Sequence, residues 1–204
     1  MSTAPHLLTG WSFPAHTLDG LGGAGRARGG WSLGGLQALA GLRDEPMRWP
    51  TGILISSTAR FCGEADGWPG LPRPALRALQ RQLQRAPREA LLGFHRLCAG
   101  PETDDVVIAQ RVEDSLALGL DVLATGLREL DTLDVRADLP AITQPILILH
   151  GARDQVIPVQ AAERMAELLP QATLIVHPEA HHDLPLAHCA WVAEHIRMFL
   201  ATQS

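Results

Sequence analysis

A chain of 204 residues, 46% of them apolar, is long enough for one domain with a full core and an inserted subdomain. Its formal net charge of −5 gives no case for a nucleic-acid binder, and an N-terminus without a basic segment before an apolar run, in a chain with no stretch of membrane-span length, predicts a cytoplasmic protein. Cys62, Cys98 and Cys189 are far apart and form no C-x-x-C, so they suggest buried thiols rather than a disulfide framework or a zinc ribbon.

His6 to Gly10 reads as a short apolar strand, with Gly10-Trp11 marking the turn at its end. In an open α/β sheet, ligands lie outside the carboxyl ends of the strands. The Trp11 backbone N–H is therefore a candidate oxyanion donor, while Ser12 lacks a following glycine and is set aside as a nucleophile. The span from Trp11 to Ser32 holds one crossover and no more: a helix from roughly Pro14 to Leu21, a Gly-rich loop, and a strand from Arg26 to Trp31.

Gly30-Trp31-Ser32-Leu33-Gly34 has the frame G-x-S-x-G just ahead of a helical pattern carried by Leu33, Leu36, Leu39 and Leu42. A serine hydroxyl is a weak nucleophile unless it is exposed at the top of a sheet beside a base. A sharp strand-to-helix turn does this, but it brings backbone so close that Gly30 and Gly34 can carry almost no side chain. Ser32 is the candidate nucleophile, and the Leu33 N–H is the second oxyanion donor.

The helix ends at Asp44-Glu45-Pro46, and Gly52 to Ser57 forms a continuous apolar strand of the kind buried on both faces. From Phe61 to Val135 the strand signals give way to four amphipathic patterns. They run through Leu76, Leu79 and Leu83; Leu91, Leu92 and Leu97; Val106, Val107 and Val112; and Leu116, Leu120, Leu123 and Leu127. Residues 61–135 are expected to cap the site, inserted in a core made of 1–60 and 136–204.

Pro145 to Gly151 is the clearest strand, and it presents Asp154 just before a helix from Val159 to Leu169. Ala172 to His177 is the last strand, leading to His181-His182-Asp183 and a closing helix from Ala187 to Phe199. A base that reaches Ser32 must come from the loop after this strand, so His182 is the expected base, with His181 at the turn as the alternative. Asp154 is the expected acid; Asp183 adjoins the base in sequence and Asp66 lies within the cap. His150, His177 and His188 are read as packing groups. No histidine spacing suggests a metal site, and no cofactor is required.

These residues resemble a known family. The likeness is carried by Gly10-Trp11, Gly30 to Leu36, Trp68-Pro69-Gly70-Leu71, Gly126 to Leu130, Leu133 to Arg136, Gly151 to Pro158, and His182 with Pro185 and His188. It covers nearly the whole chain from Leu7, and the family is that of the pimeloyl-acyl-carrier-protein methyl ester carboxylesterases of biotin synthesis, which are α/β-hydrolases. The resemblance implies a minimal α/β-hydrolase with a mostly parallel sheet of about five strands and an inserted helical cap. It implies an ester substrate borne on an acidic acyl carrier protein, with Trp31, Leu91 and Phe94 lining the acyl channel.

In two respects the sequence departs from the family pattern. The strand, L-P-G-x-G-type loop and helix that usually separate the first glycine turn from the elbow are absent, and His181 stands where a glycine usually precedes the base. Loss of the outer strand leaves His6 to Gly10 as an exposed edge, for which a homodimer or a covering segment is expected.

Arg73, Arg77, Arg81 and Arg85 recur every four residues, with Arg88 and Arg96 beyond. Like charges at this spacing cost a helix about 0.2–0.5 kcal/mol each, so helix stability does not favour the ladder, whereas an acidic partner would. The ladder is the expected docking surface for the carrier. Two other readings stand beside this one: a generic short-chain carboxylesterase or thioesterase, and a catalytically inactive binding module.

Overall fold

Continuous runs of Ile, Leu and Val sit at the centre of the molecule because parallel strands covered on both faces have no polar side to show. The computed structural model describes residues 5–21, 26–63 and 67–203. Strands β1 (His6–Leu8), β2 (Ala27–Trp31) and β3 (Thr51–Ile55) come first in the chain. The two-residue strands β4 (Cys62–Gly63) and β5 (Leu71–Pro72) pair separately with each other. Strands β6 (Ile146–Gly151) and β7 (Ala172–His177) complete a five-stranded, all-parallel sheet of order β1-β2-β3-β6-β7.

Every residue of β3 and β6 is buried. The two-residue alternation of a strand sends Leu54, Ile146 and Ile148 to one face, where they pack with Leu36, Leu39 and Met165 of α1 (Leu33–Asp44) and α6 (Val159–Leu168). Ile53, Ile55, Leu147 and Leu149 go to the other face and meet Val192 and Ile196 of α8 (Cys189–Ala201). Each such side chain contributes about 1.5–3 kcal/mol on burial.

Between β3 and β6 lie α2 (Arg73–Arg85), α3 (Pro87–Ala99), α4 (Asp105–Ala117) and α5 (Leu120–Thr132). Pro87 denies helical backbone to Ala86, which separates α2 from α3; Gly119, at φ 90°, separates α4 from α5. Asp104 caps α4 by accepting the Val106 N–H at 2.7 Å. Leu76, Leu91, Val112, Leu123 and Leu127 of these helices pack on Trp11, Leu33, Val156 and Ile157, residues just beyond the carboxyl ends of β1, β2 and β6. The two ends of the segment meet at an antiparallel bridge between Arg60 and Asp134, whose side chains pair at 2.6 Å.

Several elements differ from expectation. The crossover helix from Pro14 to Leu21 is a single 3-10 turn, Ala15–Leu18, followed by a reversal at Gly20 with φ 90°. The Gly-rich stretch 22–25 lies outside the described residues. The closing helix is two, α7 (Leu184–Ala187) and α8, broken at His188. Val106 and Val107 are exposed, because the buried face of α4 runs through Ile108, Val112 and Ser115 instead. Cys62 and Cys98 are buried, whereas Cys189, opening α8, is exposed. No helix among the described residues is long and apolar enough to cross a membrane.

Candidate active site

Ser32 sits between β2 and α1 at φ 55° and ψ −119°, a conformation that L-residues rarely hold. The turn is fixed from three sides. The Ser32 N–H donates to Ile55 O at 2.9 Å, and the Ser57 hydroxyl donates to Ser32 O at 2.8 Å. The third constraint is the close approach of backbone: a Cβ at Gly30 would stand 2.4 Å from the Gly34 carbonyl carbon, and one at Gly34 would stand 2.2 Å from Leu8 O.

The loop after β7 brings His182 Nε2 to 3.0 Å from Ser32 Oγ. The other ring nitrogen, Nδ1, lies 2.8 Å from Asp154 Oδ2. Asp154 Oδ1 accepts the N–H groups of Val156 and Ile157, both at 2.8 Å, which aims the carboxylate. With a carboxylate on Nδ1 the ring proton belongs there, and Nε2 is left to accept from the serine hydroxyl. All three side chains are nearly closed to solvent; Ser32 is 5% exposed.

Burial by itself would raise the Asp154 pKa, but the attraction and hydrogen bond of the His182 ring, together with the Ile157 N–H, hold it below the ordinary carboxylate value. His150 is fully buried, and its Nε2 lies 2.9 Å from Ile157 O and 3.4 Å from Asp154 Oδ2. Burial lowers its pKa, which keeps this second ring neutral beside the acid.

The Gly10-Trp11 turn lies against the elbow, since a Cβ at Gly10 would stand 3.3 Å from Ser32 Cβ. Leu33 opens α1, where the first amides have no partner within the helix and carry the positive end of its dipole. Beside them is a cavity of about 520 Å³, lined by Gly10, Trp11, Leu33, Gln37, Val122 and Glu129 among others.

The Hydrolase_4 family model, described as serine aminopeptidase, S33, matches residues 22–186. The chain belongs to this family. Among the relatives of this Hydrolase_4 member is the pimeloyl-[acyl-carrier protein] methyl ester esterase of Nitrosomonas europaea, 33% identical over 158 residues that make up 75% of this chain and 62% of that one. The protein of the same name from Pectobacterium atrosepticum is 32% identical over 163 residues, 78% of this chain and 64% of its own. The chain thus spans less than two thirds of the length of these two relatives. Among solved structures, an esterase from Exiguobacterium antarcticum superposes with a TM-score of 0.81 at 24% identity, over 86% of this chain and 66% of that one. The fold is that of a minimal α/β-hydrolase.

Other expected site residues of this Hydrolase_4 chain fall elsewhere. Trp31 does not line a channel: it is fully buried, packed on Phe13, and its Nε1 donates to His182 O at 2.9 Å. Leu91 is fully buried among the helices, and Phe94 meets Trp11 edge-on with ring centroids 4.7 Å apart. Neither lines the cavity, to which α1 and α5 contribute helical residues and α3 does not. Asp183 turns away from the imidazole and pairs with Arg111 at 3.0 Å. His181 packs over Gly100, and Asp66 lies outside the described residues.

The arginine ladder divides in two. Arg73 pairs with Asp131 at 2.6 Å, Arg88 pairs with Glu113, and Arg96 pairs with Asp105 at 3.0 Å. Arg77, Arg81 and Arg85 are exposed and have no ion-pair partner among the described residues. Gln37, whose amide donates to Glu129 at 2.5 Å, was not singled out from the sequence, whereas Gly126, which lies under the Trp11 ring, belongs to the stretch Gly126 to Leu130 that carried the family resemblance. The α-helical spacing around Leu123 and the resemblance through Gly126 to Leu130 both pointed to the α5 side of the cavity.

Proposed function

We propose that this hydrolase is a serine carboxylesterase in which Ser32, His182 and Asp154 form the catalytic triad. The observation that carries the reading is the unbroken chain from Ser32 Oγ to His182 at 3.0 Å and on to Asp154 at 2.8 Å. In this reading Ser32 Oγ attacks the ester carbonyl as His182 Nε2 takes its proton, and the Trp11 and Leu33 N–H groups hold the oxyanion. His182 then gives the proton to the leaving alcohol, and water clears the acyl-enzyme. Residues 61–135 act as the cap and residues 1–60 and 136–204 as the core.

The substrate we propose is the methyl ester of a pimeloyl-type chain on acyl carrier protein, as in biotin synthesis. The names of the relatives from Nitrosomonas and Pectobacterium support it. So does the exposed stripe Arg77, Arg81 and Arg85, which suits an acidic carrier.

A fluorophosphonate probe followed by peptide mapping tests the chemistry. Labelling at Ser32 is expected; folded protein that does not label would instead be a binding module. Turnover of a carrier-bound methyl ester against p-nitrophenyl acetate tests the substrate, and equal efficiency on both would point to a generic short-chain esterase or thioesterase. Reversing Arg77 and Arg81 to Glu is expected to raise KM for the carrier-bound ester and to spare the free one; an equal loss on both rejects the docking surface.

A further inference from the structure

The loop that supplies Trp11 is strained. Ser12 has φ 69°, at the third position of a turn closed by the Phe13 N–H donating to Gly10 O at 3.3 Å. Glycine is the usual residue there, and a serine keeps such backbone only where its surroundings hold it.

Two helices of the inserted segment do the holding. On α4, the Ser115 hydroxyl lies 2.7 Å from Ser12 O. On α5, Leu123 O accepts the Trp11 indole N–H at 2.8 Å. Ser115 Oγ is also 2.7 Å from Arg111 O in its own helix and 2.8 Å from His95 Nε2 on α3. One hydroxyl has one proton, so a ring N–H on His95 Nε2 satisfies the Ser115 oxygen and leaves that proton for a carbonyl. Burial, helped by the Arg111 charge against that of Asp114, pushes the His95 pKa down to about 4 and keeps the ring neutral. His95 and Ser115 are both fully buried, and the His95 ring meets Phe13 edge-on at 5.0 Å.

We propose that Ser115, oriented by His95, is a positioning residue that grips Ser12 and so keeps the Trp11 N–H aimed at the oxyanion. Because the grip comes from α4 and α5, the oxyanion hole is complete only while the helical segment is seated on the sheet. This inference rests on the esterase reading for the role of Trp11.

The test uses S115A, S12G and the double variant S12G/S115A. S115A is expected to lower kcat for p-nitrophenyl acetate about 10- to 100-fold, the scale of a small misplacement of a catalytic group, with KM little changed. A glycine at position 12 holds φ 69° without strain, so adding S12G to S115A is expected to restore kcat close to that of S12G alone. Deuterium uptake by the backbone amides of residues 10–13 is expected to rise in S115A, and this readout needs no turnover. If S115A does not fold, H95F with and without S12G replaces it, since it removes the donor and fills the space. Unchanged kcat and unchanged uptake, or a loss that S12G does not repair, overturns the grip while leaving the esterase intact. A wild-type protein that neither labels nor turns over would defeat the esterase reading instead, and the uptake comparison would still decide whether Ser115 holds the turn.

Discussion

The Trp31 indole N–H donates to the backbone carbonyl of His182 at 2.9 Å, so the residue before the proposed nucleophile fixes the residue proposed as its base. W31F keeps a ring against Phe13 but leaves that carbonyl without its donor. Stability is expected to fall by roughly 1–3 kcal/mol in urea titration. kcat is expected to fall about tenfold with KM unchanged, since the loss is one of alignment. A change confined to KM would mean that Trp31 does touch substrate.

Asp154 acts in the proposed mechanism only by holding the His182 proton on Nδ1. D154N keeps the shape but can present an N–H to that nitrogen, which favours the wrong tautomer. A fall in kcat of about 10⁴ is expected, and S32A is expected to cost about 10⁶. Steady-state ester hydrolysis measures both, and a D154N variant within tenfold of wild type would remove Asp154 from the triad.

Acid should loosen the neck of the helical segment. Hydrogen bonds from Arg136, opposed by partial burial and aided by Arg60, hold the Asp134 pKa near 2. A depressed carboxylate pKa contributes stability that is fully present above the unfolded value of about 3.9 and is lost as pH falls through the folded one. The stability difference between wild type and D134N is therefore expected to be constant near neutrality and to shrink between about pH 4 and pH 2, as read by urea midpoints. A difference that grows on acidification would contradict the sign.

Two glycines are expected to respond in opposite ways to alanine. At Gly34 the new Cβ would stand 2.2 Å from Leu8 O, a backbone atom that cannot step aside, so G34A is expected to lose about 3 kcal/mol or to fail to fold. At Gly93, inside α3, nothing beyond the adjoining residues and the helix's own backbone lies within 4 Å of the Cβ, and G93A is expected to gain about 0.5–1 kcal/mol from helix propensity. Thermal melting of the two variants checks the pair.

Much of this architecture is written locally. The runs Ile53-Leu54-Ile55 and Ile146 to Leu149 announce buried strands because a short, unbroken apolar run rich in isoleucine is a property of a few adjacent residues. The small residues around Ser32 announce a tight turn in the same way, although part of the clash they avoid is with Leu8 of the neighbouring strand β1. Helix periodicity likewise announced α2 to α5, although it could not tell which valines of α4 face water.

What only tertiary structure decided depends on partners far along the chain. Trp31 meets the His182 carbonyl across 151 positions, Trp11 meets Leu123 across 112, and Ser12 meets Ser115 across 103. No local pattern encodes such pairs, so a tryptophan that reads as a channel wall donates its indole N–H to the His182 carbonyl, and a serine that reads as a decoy holds a positive φ in the turn after β1. The same holds for charge: the arginine spacing is visible in the sequence, but whether a guanidinium meets Asp131 or solvent is set by how α2 packs against α5. The elements follow from short-range sterics and periodicity, whereas the assignment of each side chain to core, support or surface follows from burial against residues that the chain brings near only when it folds.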